Sequence, residues 1–136
     1  LPIYQNYTAK AQLARAAYEI GTTRTSIETI LSNGGFPTVD EAQDGQPRAA
    51  GGVFVYIGLQ GDNPASNIIS LATINGSAGG FGGIKAVMGG NVSAILNGTV
   101  IQYLRASNGT WRCEIILPAV AASTHLEITG CTMTQK

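Results

Sequence analysis

Residues 96–115 read LNGTVIQYLRASNGTWRCEI, and their reading decides the fold. Two Asn-Gly pairs, Asn97-Gly98 and Asn108-Gly109, bracket a run with the two-residue period of a strand. Asn-Gly suits a tight hairpin because both residues tolerate positive φ. The stretch predicts strands over 99–105 and 110–116 joined by a two-residue type I′ turn. In that register Leu104 faces Cys113, Ala106 faces Trp111 and Gln102 faces Ile115. Side-chain alternation then places Trp111, Cys113 and Ile115 on one face with Leu104 and Ala106, the expected core face. On the opposite face Arg105 meets Arg112, an unfavourable pairing unless Glu114, on the diagonal, intervenes.

Working outward, the two-residue period begins at residue 67. Further candidate strands lie at 67–74, 83–88 and 92–96, punctuated by Asn75-Gly76 and Gly89-Gly90. Residues 67–116 thus read as an antiparallel meander of about four strands. Residues 33–66 form a long connection, with one short strand at Val53-Phe54-Val55-Tyr56-Ile57 and glycine breaks around it. Residues 1–32 are a helix ended by Asn33-Gly34-Gly35 and Pro37. Its apolar and aromatic stripe is Tyr4, Tyr7, Ala11, Ala14 and Tyr18, re-forming around Gly21 at Ile20, Ile27, Ile30 and Leu31. Arg15 with Glu19 and Arg24 with Glu28 are spaced to pair on its exposed side. One helix followed by a meander is an α+β domain, with the helix stripe expected to cover one sheet face. The chain begins at Leu1-Pro2 with no N-cap residue and reads as cut rather than started.

Composition narrows the function. At 136 residues the chain supports one domain with a modest core. Eight Lys+Arg balance eight Asp+Glu, so there is no basic excess of the kind that non-specific nucleic-acid or membrane binding needs. Charged residues are 12% of the chain, about half the usual share of roughly 25%. Such a weakly charged, glycine-rich surface suits burial against other subunits, and a small secreted domain fits it equally well. Two cysteines permit one connectivity, Cys113–Cys131, and neither lies in a Cys-x-x-Cys pair. A structural disulfide fits best, which points to an oxidising compartment.

No assembled chemistry is legible. The lone histidine, His125, sits beside Ser123 and Thr124 and reads as a surface residue rather than a catalytic base. Asp40, Glu41 and Asp44 lie in the connection with no motif around them and read as solvated charges. The stretch GSAGGFGGIKAVMGG lacks G-x-x-x-x-G-K-[ST], and its Lys85 leads into a strand. No cofactor, metal or enzymatic activity is expected. Arg105 and Arg112, beside Trp111, form a small candidate patch for nucleic acid.

The two ends of the chain resemble type IV pilins. LPIYQNYTAKAQLARAAYEI is similar to the family's Leu-Pro-x-Tyr-x-x-Tyr-Thr-x-x-x-Gln through Leu1, Pro2, Tyr4, Tyr7, Thr8 and Gln12. Residues 96–115 with the closing Gly130-Cys131 resemble its last strands: a strand, a glycine turn, Trp, Cys, a loop and a final Gly-Cys. Residues 35–98 match in pattern alone. The resemblance implies a pilin head, a precursor held at the inner membrane through a segment upstream of residue 1, and cleavage by a prepilin peptidase. It further implies assembly by a dedicated machine into a helical homo-oligomeric fibre on the bacterial surface. The helix face Tyr4, Tyr7, Ala11, Ala14 and Tyr18 would pack between subunits. The loop bounded by residues 113–131, tipped by Ala121, Ala122, Ser123 and Thr124, would be the exposed receptor edge. The leading expectation is a major pilin serving adhesion, twitching and DNA uptake, with host receptors or DNA as further partners. The alternatives are a minor pilin that receives DNA or adhesive ligands, and a secreted binding module.

Overall fold

The computed structural model describes residues 3–77, 80–121 and 126–136. The predicted single helix is two: α1 spans Ile3–Gly21 and α2 Thr23–Ser32. The break has a local cause. The hydroxyls of Thr22 and Thr23 donate to the carbonyls of Glu19 (2.8 Å) and Ile20 (2.6 Å), competing with the backbone amides for those acceptors. Helix α2 ends as predicted. Gly34 sits at φ +82°, and the amides of Gly34 and Gly35 donate to Leu31 and Ile30 in a Schellman turn.

The connection holds a two-stranded parallel sheet, β1 (Phe36–Thr38) beside β2 (Phe54–Tyr56), with Phe36 opposite Phe54. The main sheet has five strands in chain order: β3 (Ile69–Ser77), β4 (Gly80–Met88), β5 (Val100–Arg105), β6 (Trp111–Leu117) and β7 (Cys131–Gln135). The first four form the expected antiparallel meander. β7, absent from the sequence reading, lies parallel to β6, with Cys131 opposite Cys113. The expected strand at 92–96 is instead a loop ending in a single 3-10 turn, Ala94–Leu96. There Leu96 is wholly buried, and the amide of Ser93 donates to Gln12 Oε1 at 2.8 Å, tying the loop beneath α1. Asn75-Gly76 does not break β3 but forms a bulge within it.

The hairpin register is shifted by one residue from the reading above. Gly109 N donates to Ala106 O (2.9 Å), Ala106 N donates to Thr110 O (2.8 Å), and Gly109 stands at φ +90°. This is a three-residue turn closed by a glycine bulge rather than a two-residue turn. Tyr103 therefore faces Cys113, Leu104 faces Arg112 and Arg105 faces Trp111. Trp111, Cys113 and Ile115 do point to the core side, but their companions from β5 are Ile101, Tyr103 and Arg105. Arg105 does not face Arg112.

The helix is also rotated relative to expectation. The sheet is covered by Ala9, Leu13, Ala16, Ala17 and Ile20, all 2% exposed or less, whereas Tyr7 (78%) and Tyr18 (73%) face outward. Alanines bring helix and sheet close enough for Tyr103 Oη to donate to Ala17 O at 3.0 Å. A Cβ on Gly21 would lie 2.9 Å from that hydroxyl. Leu13, Ile20, Ile27, Ile84, Ile101 and Ile115 form the centre of one core.

Candidate functional site

Three surfaces are built on this frame. The first is the outer side of α1. A helix of 3.6 residues per turn puts Tyr7, Ala11, Ala14 and Tyr18 on one line, and all four are exposed. Small residues between two tyrosines leave a flat, apolar strip suited to another surface. Tyr4 belongs to α1, and its side chain lies outside the described residues.

The second is the edge closed by the disulfide. Cys113 and Cys131 are register partners on adjacent strands, with Cα atoms 4.5 Å apart, so the bond crosses directly between β6 and β7. It fastens an edge strand to its single neighbour. Within the bounded loop, Ala121 ends a short 3-10 turn and is 1% exposed, contrary to its expected place at a surface tip, while Val120 beside it is 68% exposed. Ala122, Ser123, Thr124 and His125 lie outside the described residues.

The third is a polar node where α2 meets the hairpin. Glu28 Oε1 accepts from Arg105 Nε (2.6 Å) and from Trp111 Nε1 (2.8 Å). These two hydrogen bonds, Arg105 first, hold the Glu28 carboxyl below its ordinary pKa, against a smaller opposing effect of burial. Glu28 thus pairs with Arg105, not with Arg24, whose Nε donates to Gly21 O and whose guanidinium lies 4.6 Å from the centre of the Tyr103 ring. Burial raises the Tyr103 phenol pKa, with the positive charge of Arg24 pulling the other way. Phe81 packs edge-on against Trp111 at 6.0 Å, and Phe36 continues the row at 6.3 Å. This answers why the tryptophan stands beside the cysteine. Trp111 anchors the start of β6 to α2 while Cys113 anchors β7.

The structure does not bring Arg105 and Arg112 into one patch. Arg105 lies on the helix side, bonded to Glu28, and Arg112 on the other, 3.2 Å from Glu114. One residue of register separates the two faces. Sequence reasoning paired Glu28 with Arg24 and missed Arg105 and Trp111 as partners of Glu28 and Ala17 as the partner of Tyr103, since contacts spanning 77 to 86 residues leave no local signal. Among the described residues no His, Cys, Asp and Glu side chains gather where they would hold a metal, and no helix is long and apolar enough to cross a membrane.

Between α1 and the disulfide edge runs an open groove of about 350 Å³, bounded by Ala14, Tyr18, Arg24, Trp111, Arg112 and Gly130. It connects the first surface to the second, because Ala14 and Tyr18 of the one and Cys113 and Cys131 of the other line it together.

Comparison with known proteins adds a consistent set of matches. The family model described as pilin, a bacterial filament protein, matches residues 9–132. The chain is 41% identical to fimbrial protein EcpB of Eikenella corrodens over 115 residues, which is 85% of this chain and 71% of that protein. It is 32% identical to type IV major fimbrial protein FimA of Dichelobacter nodosus, covering 84% of this chain and 72% of that one. The type IV major alpha-pilin of Moraxella bovis is 28% identical, with 85% and 71% covered.

Proposed function

This chain belongs to the pilin family of bacterial filament proteins, and on that premise we propose that it is the major structural subunit of a type IV pilus. The observation that carries this reading is the helix with two apolar faces. Ala9, Leu13, Ala16, Ala17 and Ile20 are spent on the chain's own sheet, and Tyr7, Ala11, Ala14 and Tyr18 remain for a neighbour. A monomer has no use for the second stripe; a fibre does. Relatives named major fimbrial proteins support the major role. The minor-pilin and binding-module alternatives are not favoured, since Arg105 and Arg112 are each taken by a carboxylate on opposite sides of the sheet.

The family places the assembled protein in a pilus on the cell surface. We further propose that the precursor is held at the inner membrane by a segment preceding residue 1, and that a pilus assembly machine builds the fibre. Adhesion to a host receptor, twitching and DNA uptake are the activities we assign to that fibre. Immunogold electron microscopy with antibody against this head tests the central reading. Label along the whole length of surface filaments is expected. Label confined to tips would make it a minor subunit, and unlabelled filaments would overturn the assignment.

A further inference from the structure

Asparagine is placed unevenly in this chain. Five of its eight asparagines stand two residues before Ser or Thr: Asn6-Tyr7-Thr8, Asn75-Gly76-Ser77, Asn91-Val92-Ser93, Asn97-Gly98-Thr99 and Asn108-Gly109-Thr110. Ser and Thr make up 21 of the 136 residues, so this is several times the share that chance would give. Asn-x-Ser/Thr is the acceptor pattern for a sugar on the asparagine amide nitrogen. Transfer to a folded chain needs an accessible carboxamide with the hydroxyl residue brought beside it.

The fold separates the five. Asn6 and Thr8 lie in α1, where the Thr8 amide belongs to the helix ladder. Asn75 is half-buried in β3 and donates to Gln102 Oε1 (3.5 Å). Asn91 is exposed, but Ser93 is half-buried and its amide is taken by Gln12 Oε1. Asn97 is exposed, but Thr99 is wholly buried. Among the described residues Asn108 alone meets both requirements. It stands in the turn between β5 and β6, and both it and Thr110 are exposed. Its Oδ1 accepts from the Thr110 amide at 3.0 Å, an Asx turn that folds the hydroxyl residue back against the carboxamide. That bond occupies Oδ1 and leaves Nδ2 with no hydrogen-bond partner among the described residues. It also polarises the carboxamide, drawing the nitrogen lone pair toward oxygen and making an Nδ2 proton easier to remove. Asn108 belongs neither to the α1 stripe nor to the lining of the groove, so neither surface covers it.

We infer that Asn108 is a glycosylation site, taking a sugar from a diphosphate-activated donor. Nδ2 forms a bond to C1 of the sugar as the bond from C1 to the diphosphate oxygen breaks. The diphosphate leaves with the electron pair, and the Nδ2 proton passes to a base of the transferase. The product suits a head with no net charge and 12% charged residues, because a glycan supplies hydration that the charges do not. The site is independent of the subunit reading above.

The test uses the full chain purified from the cells that make it. Mass spectrometry of the intact protein and its peptides should find one or more sugar residues on the peptide that carries Asn108. N108D keeps an oxygen to accept from Thr110 and hold the turn, but lacks the amide nitrogen, and should abolish the added mass. T110A should abolish it too, T110S should retain it, and N91Q and N97Q should leave it unchanged. Alkaline β-elimination strips sugars from Ser and Thr but not from an amide nitrogen, so the added mass should survive alkali. Protein of unmodified mass, added mass that persists in N108D, or sugar released by alkali would overturn the site. None of those three results bears on filament assembly, which immunogold labelling tests separately.

Discussion

Reducing the Cys113–Cys131 bond and alkylating both thiols is the perturbation whose outcome the structure specifies most fully. The bond closes a sequence separation of 18, which in the chain-entropy model is worth about 3 kcal/mol to global stability. For a domain of this size that corresponds to a fall in Tm of roughly 10 °C. Amides that exchange only through global unfolding, in β4 and β5, should lose a common factor of roughly a hundred in protection. β7 should lose more. It is a five-residue edge strand paired on one side, and only Cys131 and Met133 along it are half-buried. Without the covalent link its opening requires no more than breaking that short ladder, the side-chain bond from Thr134 Oγ1 to Ile115 O, and the terminal bonds of Gln135 and Lys136. Native-state hydrogen exchange, with and without reductant, reads both effects residue by residue. If β7 loses only the factor seen in β4 and β5, the strand is held by its own contacts and the disulfide is not what secures the edge.

Other consequences follow from single residues. Thr99 is wholly buried and its hydroxyl has no hydrogen-bond partner among the described residues, so T99V should leave Tm unchanged or raise it by the equivalent of about 1 kcal/mol. Gly83 sits at φ +142° with the carbonyl of Tyr103 where a Cβ would go, so G83A should cost about 2–3 kcal/mol in denaturant titration. E28Q should lower stability at pH 7 by about 1 kcal/mol, a modest figure because the Glu28 side chain is 41% exposed. Because the folded-state pKa of Glu28 is depressed, its contribution is complete above the ordinary value of 4.5 and is lost as pH falls through the lower folded value. Thermal melts from pH 7 to 3 should therefore show a gap between wild type and E28Q that narrows below about pH 4.5.

Much of the architecture was legible because it is local. Helix termination at Asn33-Gly34-Gly35 follows from left-handed glycine geometry, and the strands over 99–105 and 110–116 follow from their two-residue period. The disulfide needed only a count of cysteines. The candidate surfaces were legible in part. The tyrosine stripe was identified, but its side of the helix was not, since alanines at 9, 16 and 17 carry too little hydrophobic signal to compete with tyrosines. Only close packing against Tyr103 makes small residues the better core face.

The sequence by itself determined the class of fold, the pairing of its cysteines, and the balance of its charges. Tertiary structure alone decided which residues face each other. A single extra residue in the turn at Gly109 moved Arg105 from the outer side of the hairpin to the inner, out of a pair with Arg112 and onto Glu28. It likewise decided β7, whose five residues form a strand because the crossover returns them beside β6, and not through any period of their own. The physical reason is common to both. Periodicity fixes the direction of a side chain relative to its own backbone, while register depends on the turn that closes the hairpin, the β6–β7 pairing on contacts across 18 residues, and helix rotation on contacts across 86, none of which a local pattern encodes.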